Sequence, residues 1–177
     1  MVLPPRISKD PYCILAKRAL EHTILYGLTL PTPVGLPEKM TKTRAGVFIS
    51  LYIDGQLRGA SGTLGPTTEH IAAEIMKNAV AAGLKDKRFT PVTLTELSNL
   101  LYKVDIIQNL EFIEGPGQLD PKHHGLVVTS GNKWSVLMPA QSGIETGEQQ
   151  LVAARQKAGI DTDAPVKLER FEVENHM

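Results

Sequence analysis

The side chain that the sequence places best to hold an anion is Arg58. It precedes a run of small residues in which Gly59 and Gly62 leave the backbone uncrowded. Backbone N–H groups can approach a ligand closely where no β-carbon intervenes, and a guanidinium adds a fixed charge with forked donors. We therefore predict a site for a small anionic or carboxylate-bearing group. The predicted ligand-binding residues of this segment are Arg58, Gly59, Ala60, Ser61, Gly62 and Thr63.

The same segment has a structural interpretation. The glycines would then permit only a bulged strand and a tight entry into the next helix, with Arg58 in a surface ion pair. Pattern alone favours this alternative, because the segment matches neither the phosphate-binding loop nor the dinucleotide-binding fingerprint. Ser61 and Thr63 are its only hydroxyl residues, and GASGT lacks the spacing of a nucleophile elbow. Both are expected to be structural or to contact a ligand.

Asp86 and Arg88 form the second candidate. They occupy alternate positions of KDKRFTPV, directly after the second predicted helix, where both could face a cleft bordered by the Arg58 segment. There the pair could orient a substrate or an acidic group of a partner. The alternative, which weighs about the same, is a solvated ion pair contributing about 0 to 1 kcal/mol.

His124 is the third candidate, as a ligand contact or a general base before Gly125. A hydrogen-bonded structural histidine is the more common role for such a residue. Adjacent residues of an extended segment point to opposite faces, so His123 and His124 are poorly placed to share a metal ion. The other histidines lie on separate predicted elements. We predict neither a metal nor a cofactor.

The composition argues against several classes of function. Lys plus Arg and Asp plus Glu number 19 each, so no basic excess drives nucleic-acid binding. The apolar runs are far shorter than the roughly 20 residues that cross a bilayer, and VLPPRISKDPY lacks the apolar core of a signal peptide. The single cysteine, Cys13, is predicted to be buried in a helix. We expect a cytoplasmic protein that binds neither nucleic acid nor membranes.

The elements that position the candidates follow from local patterns. A helix begins at Asp10-Pro11 and ends at Gly27, and the prolines of LTLPTPVGLPEKM indicate an extended loop. A hairpin follows, with strands at 46–53 and 56–60 around an Asp54-Gly55 turn suited to type I′. The second helix is expected to begin near Thr67 or Thr68 and to close at Gly83.

The second half of the chain also contains both predicted helices and predicted strands. Thr93 and Glu96 have capping-box spacing before a short helix, and YKVDIIQNLEFI alternates as a strand. HGLVVTSGNKWSVLMP is a second hairpin, residues 147–158 form a helix, and APVKLERFEVE is the last strand. Because helices and strands lack the regular alternation of a doubly wound sheet, we predict an α+β fold.

The order and spacing of these segments resemble the AMMECR family, named from a chromosomal region linked to Alport syndrome, midface hypoplasia and elliptocytosis. The resemblance rests on LAKRAL, GVFISLYIDGQLRGASGT, KDKRFTPV and HHGLVVTSGNKWSVLMP, and it covers residues 11–174. Several segments together are far more specific than any one alone. The family's hallmark is an LRGCIG block, matched here by residues 57–62, in which Ala60 replaces the cysteine and Ser61 the isoleucine.

The resemblance implies an α+β fold with a mixed or antiparallel main sheet flanked by helices, a smaller lobe and a cleft between the lobes. We accordingly predict a flexible leader or linker at residues 1–9 and a single AMMECR-type domain with two lobes at residues 10–177. The family has no established activity. Its bacterial and archaeal members look like companions of Memo-type proteins, which are similar to extradiol dioxygenases, and of radical SAM enzymes. Some members look fused to a Memo-type domain.

Two functions of different class follow. In the first, the chain is an accessory module whose cleft binds a small anionic ligand or a partner protein through Arg58, Asp86, Arg88, His124 and the glycine-rich backbone. In the second, it is a metal-independent enzyme in which Arg58 and loop amides clamp an oxyanion or carboxylate. The first is favoured because the segment is rich in donors and poor in nucleophiles. If the family's cysteine were an essential nucleophile, Ala60 would leave this protein inactive.

Overall fold

A computed structural model describes residues 8–177, so most of the predicted leader lies outside the described residues. The helices are α1 (Pro11–Tyr26), α2 (Glu38–Lys42), α3 (Ile71–Leu84) and α4 (Gly147–Ala158), and short 3-10 helices span Leu94–Asn99 and Pro116–Gln118. The strands are β1 (Val47–Ile53), β2 (Gln56–Gly62), β3 (Leu101–Ile113), β4 (Gly125–Ser130), β5 (Lys133–Leu137) and β6 (Lys167–His176). They are hydrogen-bonded in the order β2-β1-β3-β6-β4-β5, with antiparallel pairing. The predicted α+β class is confirmed.

The chain divides into two compact units. The first comprises the described residues up to Ile106 together with Glu174–Met177, and the second is Ile107–Val173. None of the described helices combines the length and the hydrophobicity that crossing a lipid bilayer requires. The cleft predicted between two lobes stays a prediction.

Helix α1 begins and ends where the sequence predicts. The Asp10 carboxylate accepts a hydrogen bond from the Tyr12 N–H at 2.8 Å, and Pro11 occupies the first turn, where its missing N–H costs no helical bond. At the other end Gly27 adopts a φ of 68°, and its N–H donates to the Thr23 carbonyl. The buried face of α1 packs against α3.

The proline-rich segment after α1 is mostly irregular, as predicted, but α2 begins inside it at Glu38. Pro37 occupies the N-cap position, where a residue without an N–H group loses no helical hydrogen bond. Met40, which is fully buried, anchors this short helix to the core of the first unit.

The β1–β2 hairpin carries Arg58. Its turn residues Asp54 and Gly55 have φ values of 51° and 76°, the two positive values of a type I′ turn. Strand β2 continues to Gly62, so its predicted end at residue 60 is wrong: Ser61 and Gly62 also pair with β1. Glycine and serine are weak strand formers, but the cross-strand pairing overrides that preference. A register shift at Leu51/Tyr52 marks a β-bulge.

Helix α3 is confirmed, but its predicted boundaries are wrong. It begins only at Ile71, after His70, whose Nδ1 accepts the Ala73 N–H at 3.1 Å as an N-cap. Gly83 does not end the helix. A Cβ on Gly83 would lie 2.5 Å from Leu20 Cδ1, so this glycine permits α1 and α3 to pack closely.

The core of the first unit lies between the sheet and helices α1 and α3. Val47, Ile49 and Leu51 alternate along β1 and are fully buried, as expected for a strand with one face on the core. Leu20 and Ile75 are buried with them. This core supports β2 and the end of α3, the two elements that hold the first candidate residues.

The second unit has a separate core between the β4–β5 hairpin and α4. Leu126, Val128 and Ala154 are its best buried members. Helix α4 has the predicted bounds, because Thr146 caps its start and Gly159, with a φ of 64°, ends it.

Candidate functional site

The Arg58 side chain is bound by the chain's own groups. Its Nε donates to Glu96 Oε1 at 2.7 Å, its Nη2 donates to Oε2 at 3.2 Å, and its Nη1 donates to the Thr90 carbonyl at 2.9 Å. Only 16% of the side chain is exposed. A forked guanidinium and a carboxylate are complementary partners, and here the carboxylate comes from the protein. Arg58 therefore fastens β2 to the 3-10 helix Leu94–Asn99.

Glu96 is held from several sides. Its Oε2 accepts the Thr93 N–H at 2.8 Å and the Thr93 hydroxyl at 2.9 Å, within the predicted capping box. The hydrogen bonds from Arg58 and from Thr93 lower the pKa of Glu96 to about 2. The Glu96 carboxylate is therefore ionised near neutral pH.

Close packing explains Gly59 and Gly62. Neither has a positive φ. A Cβ on Gly59 would lie 2.2 Å from the Ala82 carbonyl oxygen of α3, and one on Gly62 would lie 2.3 Å from the Phe48 ring. Gly65 differs, since open space surrounds the position of its Cβ. Strand β2 can lie against α3 only because Gly59 has no side chain.

Strand β2 does bind an anionic group, but this group belongs to the protein itself: it is the side-chain carboxylate of Asp86. Its Oδ2 accepts the Ala60 N–H at 2.9 Å and Arg88 Nη2 at 2.7 Å, while its Oδ1 accepts Arg88 Nε at 3.0 Å. The hydrogen bonds from Arg88 and from the Ala60 amide lower the pKa of Asp86 to about 2, against the effect of partial burial. The same contact raises the pKa of Arg88. A backbone amide and a guanidinium thus share one carboxylate, with Arg88 in the role predicted for Arg58.

Arg88 and its neighbours form an exposed cationic surface. The Arg88 side chain is 59% exposed, and its Nη1 has no partner among residues 8–177. Its guanidinium carbon lies 5.4 Å from the centroid of the Phe89 ring, a cation–π contact that orients the group. Lys85 and Lys87 are exposed and make no ion pair within the described part of the chain. We call Lys85, Lys87 and Arg88 the basic face.

Ser61 and Thr63 bond to α3. The Ser61 hydroxyl donates to Asn78 Oδ1 at 3.2 Å, and the Thr63 hydroxyl donates to Glu74 Oε1 at 2.7 Å. Asn78 in turn donates through Nδ2 to the Val47 carbonyl at 3.2 Å. An amide cannot act as a general base, so these contacts do not activate Ser61 as a nucleophile. They connect β2 and β1 to the helix.

The sequence-based prediction omits Glu74, a fully buried carboxylate on α3. It accepts hydrogen bonds from Thr63 and from the N–H and hydroxyl groups of Thr67 and Thr68, at 2.7 to 2.9 Å. Burial raises its pKa, but these bonds outweigh burial and lower the pKa to about 2. Glu74 thus organises the segment between β2 and α3. The sequence does carry one signal of this buried group. Glu74 and Asn78 are polar residues one turn apart, and both lie on the apolar stripe of the helix.

His124 belongs to the second unit, and its ring is oriented by hydrogen bonding. Its Nδ1 accepts the Asp120 N–H at 2.9 Å, so in the neutral ring the proton is on Nε2. Nε2 lies 3.9 Å from Glu172 Oε1, in a polar cavity of about 300 Å³ that Asn109 and Arg170 also line. His124 therefore presents a donor at Nε2 and not the lone pair that a general base needs.

The structure gathers most of the predicted residues around β2. Arg58, the segment from Gly59 to Thr63, Asp86 and Arg88 lie in the first unit, whereas His124 lies in the second. Among residues 8–177, no three His, Cys, Asp or Glu side chains converge as a metal ion would need. Cys13 is 2% exposed, and burial raises its pKa to about 11, so the thiol is protonated at neutral pH.

Comparison with known proteins identifies similar chains. A model of the AMMECR1 family matches residues 13–176. A protein of Thermotoga maritima is 40% identical over 172 residues, which cover 96% of this chain and 99% of that protein. The solved structure of the uncharacterized protein PH0010 from Pyrococcus horikoshii superposes with a TM-score of 0.83 at 28% identity, covering 93% of this chain and 88% of that one.

One relative is much longer. Protein CA_C1420 of Clostridium acetobutylicum is 40% identical over 170 residues, which cover 96% of this chain but 36% of that protein. The chain therefore spans about a third of the length of this relative.

Proposed function

Because the chain belongs to the AMMECR1 family, we propose that it is an accessory binding module, and that its basic face holds an anionic group of a small ligand or of a partner protein. Lys85 and Lys87 flank Asp86 in the sequence, and Arg88 is anchored by it. Three cations stand against one carboxylate, so the surface attracts anions. The cations also follow the carbonyl end of α3, which favours positive charge.

The observation that carries this proposal is that the protein already binds one carboxylate at this place, that of Asp86. A carboxylate is already held there by the Ala60 amide and by two nitrogens of Arg88. The geometry is therefore suited to carboxylate recognition, and Arg88 keeps an outward Nη1 that has no partner within the described range. An arriving anion can share Arg88 with Asp86 or displace it.

Arg58 has a supporting role in this proposal. Its guanidinium is occupied by Glu96 and by a backbone carbonyl, so its contribution is to fix β2, and with it the Ala60 amide. Gly59, Ser61, Gly62 and Thr63 act in the same way, through their packing on α3 and β1.

The alternative of a metal-independent enzyme has weaker support. Asp86, with a pKa of about 2, is a poor base near neutral pH. His124 offers a proton at Nε2, and Arg58 is not free to clamp an oxyanion. Assaying the wild type and Ala60→Cys against a metabolite panel separates the two functions. Turnover in the cysteine variant alone would favour nucleophilic catalysis, and no turnover in either would favour binding.

The partner that the family resemblance suggests is a Memo-type protein, similar to extradiol dioxygenases, or a radical SAM protein. The long Clostridium relative supports a module that works beside further chain, since nearly two thirds of that protein lies outside the match. An exposed cationic face fits an acidic segment of such a partner.

Isothermal titration calorimetry with a hexaglutamate peptide and with inorganic phosphate tests the proposal. We expect wild-type protein to bind at least one probe at low ionic strength and Lys87→Ala to bind it about threefold to tenfold more weakly. Lys87 makes no described side-chain contact, so this variant should fold normally. The matched control is Arg18→Ala, which removes an exposed cation from α1. Absence of wild-type binding, or equal loss in both variants, would overturn the proposal.

A further inference from the structure

A separate groove of about 960 Å³ lies in the first unit, and none of the predicted site residues lines it. It is lined by residues of α1, of the 3-10 helix Leu94–Asn99 and of the beginning of β3. Tyr52 and Gly55, at the end of the first hairpin, complete part of its wall. Its size is in the range of cavities that hold small organic ligands.

The groove is predominantly apolar. Ile14 of α1 and Leu101 of β3 line it and remain 38% and 40% exposed, respectively. Leu97 and Leu100 lie beside them and are buried. Large aliphatic side chains left open along one groove favour an apolar ligand.

The charged side chains of the described residues that line the groove all carry the same sign. They are Lys9, Lys17 and Lys103; no Asp or Glu side chain of the described residues lines it, and Met177, the last residue described, is also part of the lining. Lys17 pairs with Glu21, and Lys103 lies 3.1 Å from Asp105, whereas Lys9 is exposed and has no ion pair within residues 8–177. An apolar groove with a cationic rim is complementary to a molecule with an apolar body and an anionic end.

Tyr102 supplies a second, independent observation. The side chain lines the groove and is 6% exposed, and its hydroxyl has no hydrogen-bond partner in the described structure. Buried hydroxyl groups are normally paired, because an unpaired one forfeits its bond to water. A ligand oxygen that reaches Tyr102 would supply the missing acceptor.

We propose that this groove binds a medium- or long-chain fatty acid, with the alkyl chain against Ile14 and Leu101 and the carboxylate at the cationic rim. The lysines then compensate the carboxylate charge, and the Tyr102 hydroxyl donates to one of its oxygens. This site is independent of the basic face, so either assignment can fail without the other.

Calorimetric titration of the full chain with dodecanoate and with dodecyltrimethylammonium, both below their micelle concentrations, tests the charge of the ligand. The two probes share an alkyl chain and differ in the sign of the head group. We expect dodecanoate to bind saturably and at least about tenfold more tightly than the cation. Equal affinity for the two probes, or no saturable binding of dodecanoate, would overturn the proposal.

Substitutions of residues that line the groove test whether dodecanoate binds there. Ile14→Asp places a negative charge in the groove at a partly exposed position, and we expect it to abolish dodecanoate binding. Val152→Asp, at a residue of α4 that is 52% exposed, is the matched control and should bind as the wild type does. Lys9→Ala and Tyr102→Phe should each weaken dodecanoate binding about threefold or more. Wild-type affinity for dodecanoate in Ile14→Asp, or in both Lys9→Ala and Tyr102→Phe, would contradict the assignment. A dimer of the wild type in sedimentation experiments that is lost in Ile14→Asp would also contradict it, because a second copy of the chain would then cover the groove.

Discussion

Arg58 and Glu96 join β2 to the 3-10 helix through a two-point ion pair, with Nε–Oε1 at 2.7 Å and Nη2–Oε2 at 3.2 Å. Their side chains are 16% and 27% exposed. Removing one partner from a shielded pair leaves the other charge uncompensated, which costs more than losing a surface pair. Arg58 therefore has a structural role in this chain.

Arg58→Ala should lower the free energy of unfolding by about 2 to 3 kcal/mol, because Glu96 and the Thr90 carbonyl both lose their donor. Urea unfolding followed by circular dichroism measures this change. Arg18→Ala, on an exposed part of α1, should stay within about 0.5 kcal/mol of the wild type. An unfolding curve of Arg58→Ala that overlays the wild-type curve would show that the ion pair is dispensable.

The acid stability of the protein should depend on its bound carboxylates. Glu74, Asp86 and Glu96 all have pKa values of about 2 in the folded state, below their ordinary values near 4. A carboxyl group with a depressed pKa stabilises the fold above its unfolded-state pKa and loses this effect as the pH falls through its folded-state pKa. The free energy of unfolding should therefore fall between about pH 4.5 and pH 2, and change little from pH 7 to pH 5.

Glu74→Gln tests the largest part of this dependence, since Glu74 is the fully buried member. Urea titrations from pH 7 to pH 2 should show a smaller acid-dependent loss in this variant than in the wild type. Glu145→Gln, at an exposed carboxylate, should keep the wild-type profile. A profile of Glu74→Gln that parallels the wild type would mean that Glu74 titrates normally.

Two glycines of the same segment should respond differently to alanine. Gly59→Ala brings a Cβ to 2.2 Å from the Ala82 carbonyl oxygen, so we expect a destabilisation of about 1 to 3 kcal/mol. Gly65→Ala meets no atom within 4 Å and should change stability by less than about 1 kcal/mol. Thermal unfolding of the pair measures the difference. Similar melting temperatures would contradict the close approach of β2 and α3.

The elements that the sequence predicts correctly are those whose ends carry local chemistry. Asp10, Gly27 and the Asp54-Gly55 turn specify their boundaries through neighbours in the chain. The end of β2 is different, because Ser61 and Gly62 extend the strand beyond residue 60 by pairing with β1. No local pattern encodes such contacts.

The contacts of the candidate site do not follow from the sequence for the same reason. Arg58 and Glu96 are 38 residues apart in the chain, so their pairing depends on the tertiary structure. The sequence identifies Ala60, Asp86 and Arg88 as members of a site, but not that Asp86 itself is the bound anion.

Cys13 should react slowly with Ellman's reagent at pH 8 in the native state. Burial makes the sulfur inaccessible and raises the thiol pKa to about 11, so little thiolate is present. Reaction should become rapid in denaturing urea, which provides the internal control. Rapid labelling of the native protein would indicate that the start of α1 opens readily.

Asp86→Asn should strengthen anion binding. The substitution removes the negative charge that neutralises Arg88 and frees the two guanidinium nitrogens that Asp86 occupies. Titration with inorganic phosphate at low ionic strength should show about a threefold or greater gain in affinity over the wild type. A loss of affinity would mean that Asp86 positions Arg88 for the ligand and does not compete with it.

The binding of an anion at the basic face is tested most directly by nuclear magnetic resonance of ¹⁵N-labelled wild-type protein during titration with the hexaglutamate peptide. The amide signals of Ala60, Lys87 and Arg88 should shift together and saturate, while those of α4 stay unchanged. Shifts confined to other parts of the chain, or no saturable shift at low ionic strength, would contradict an anion site at the basic face.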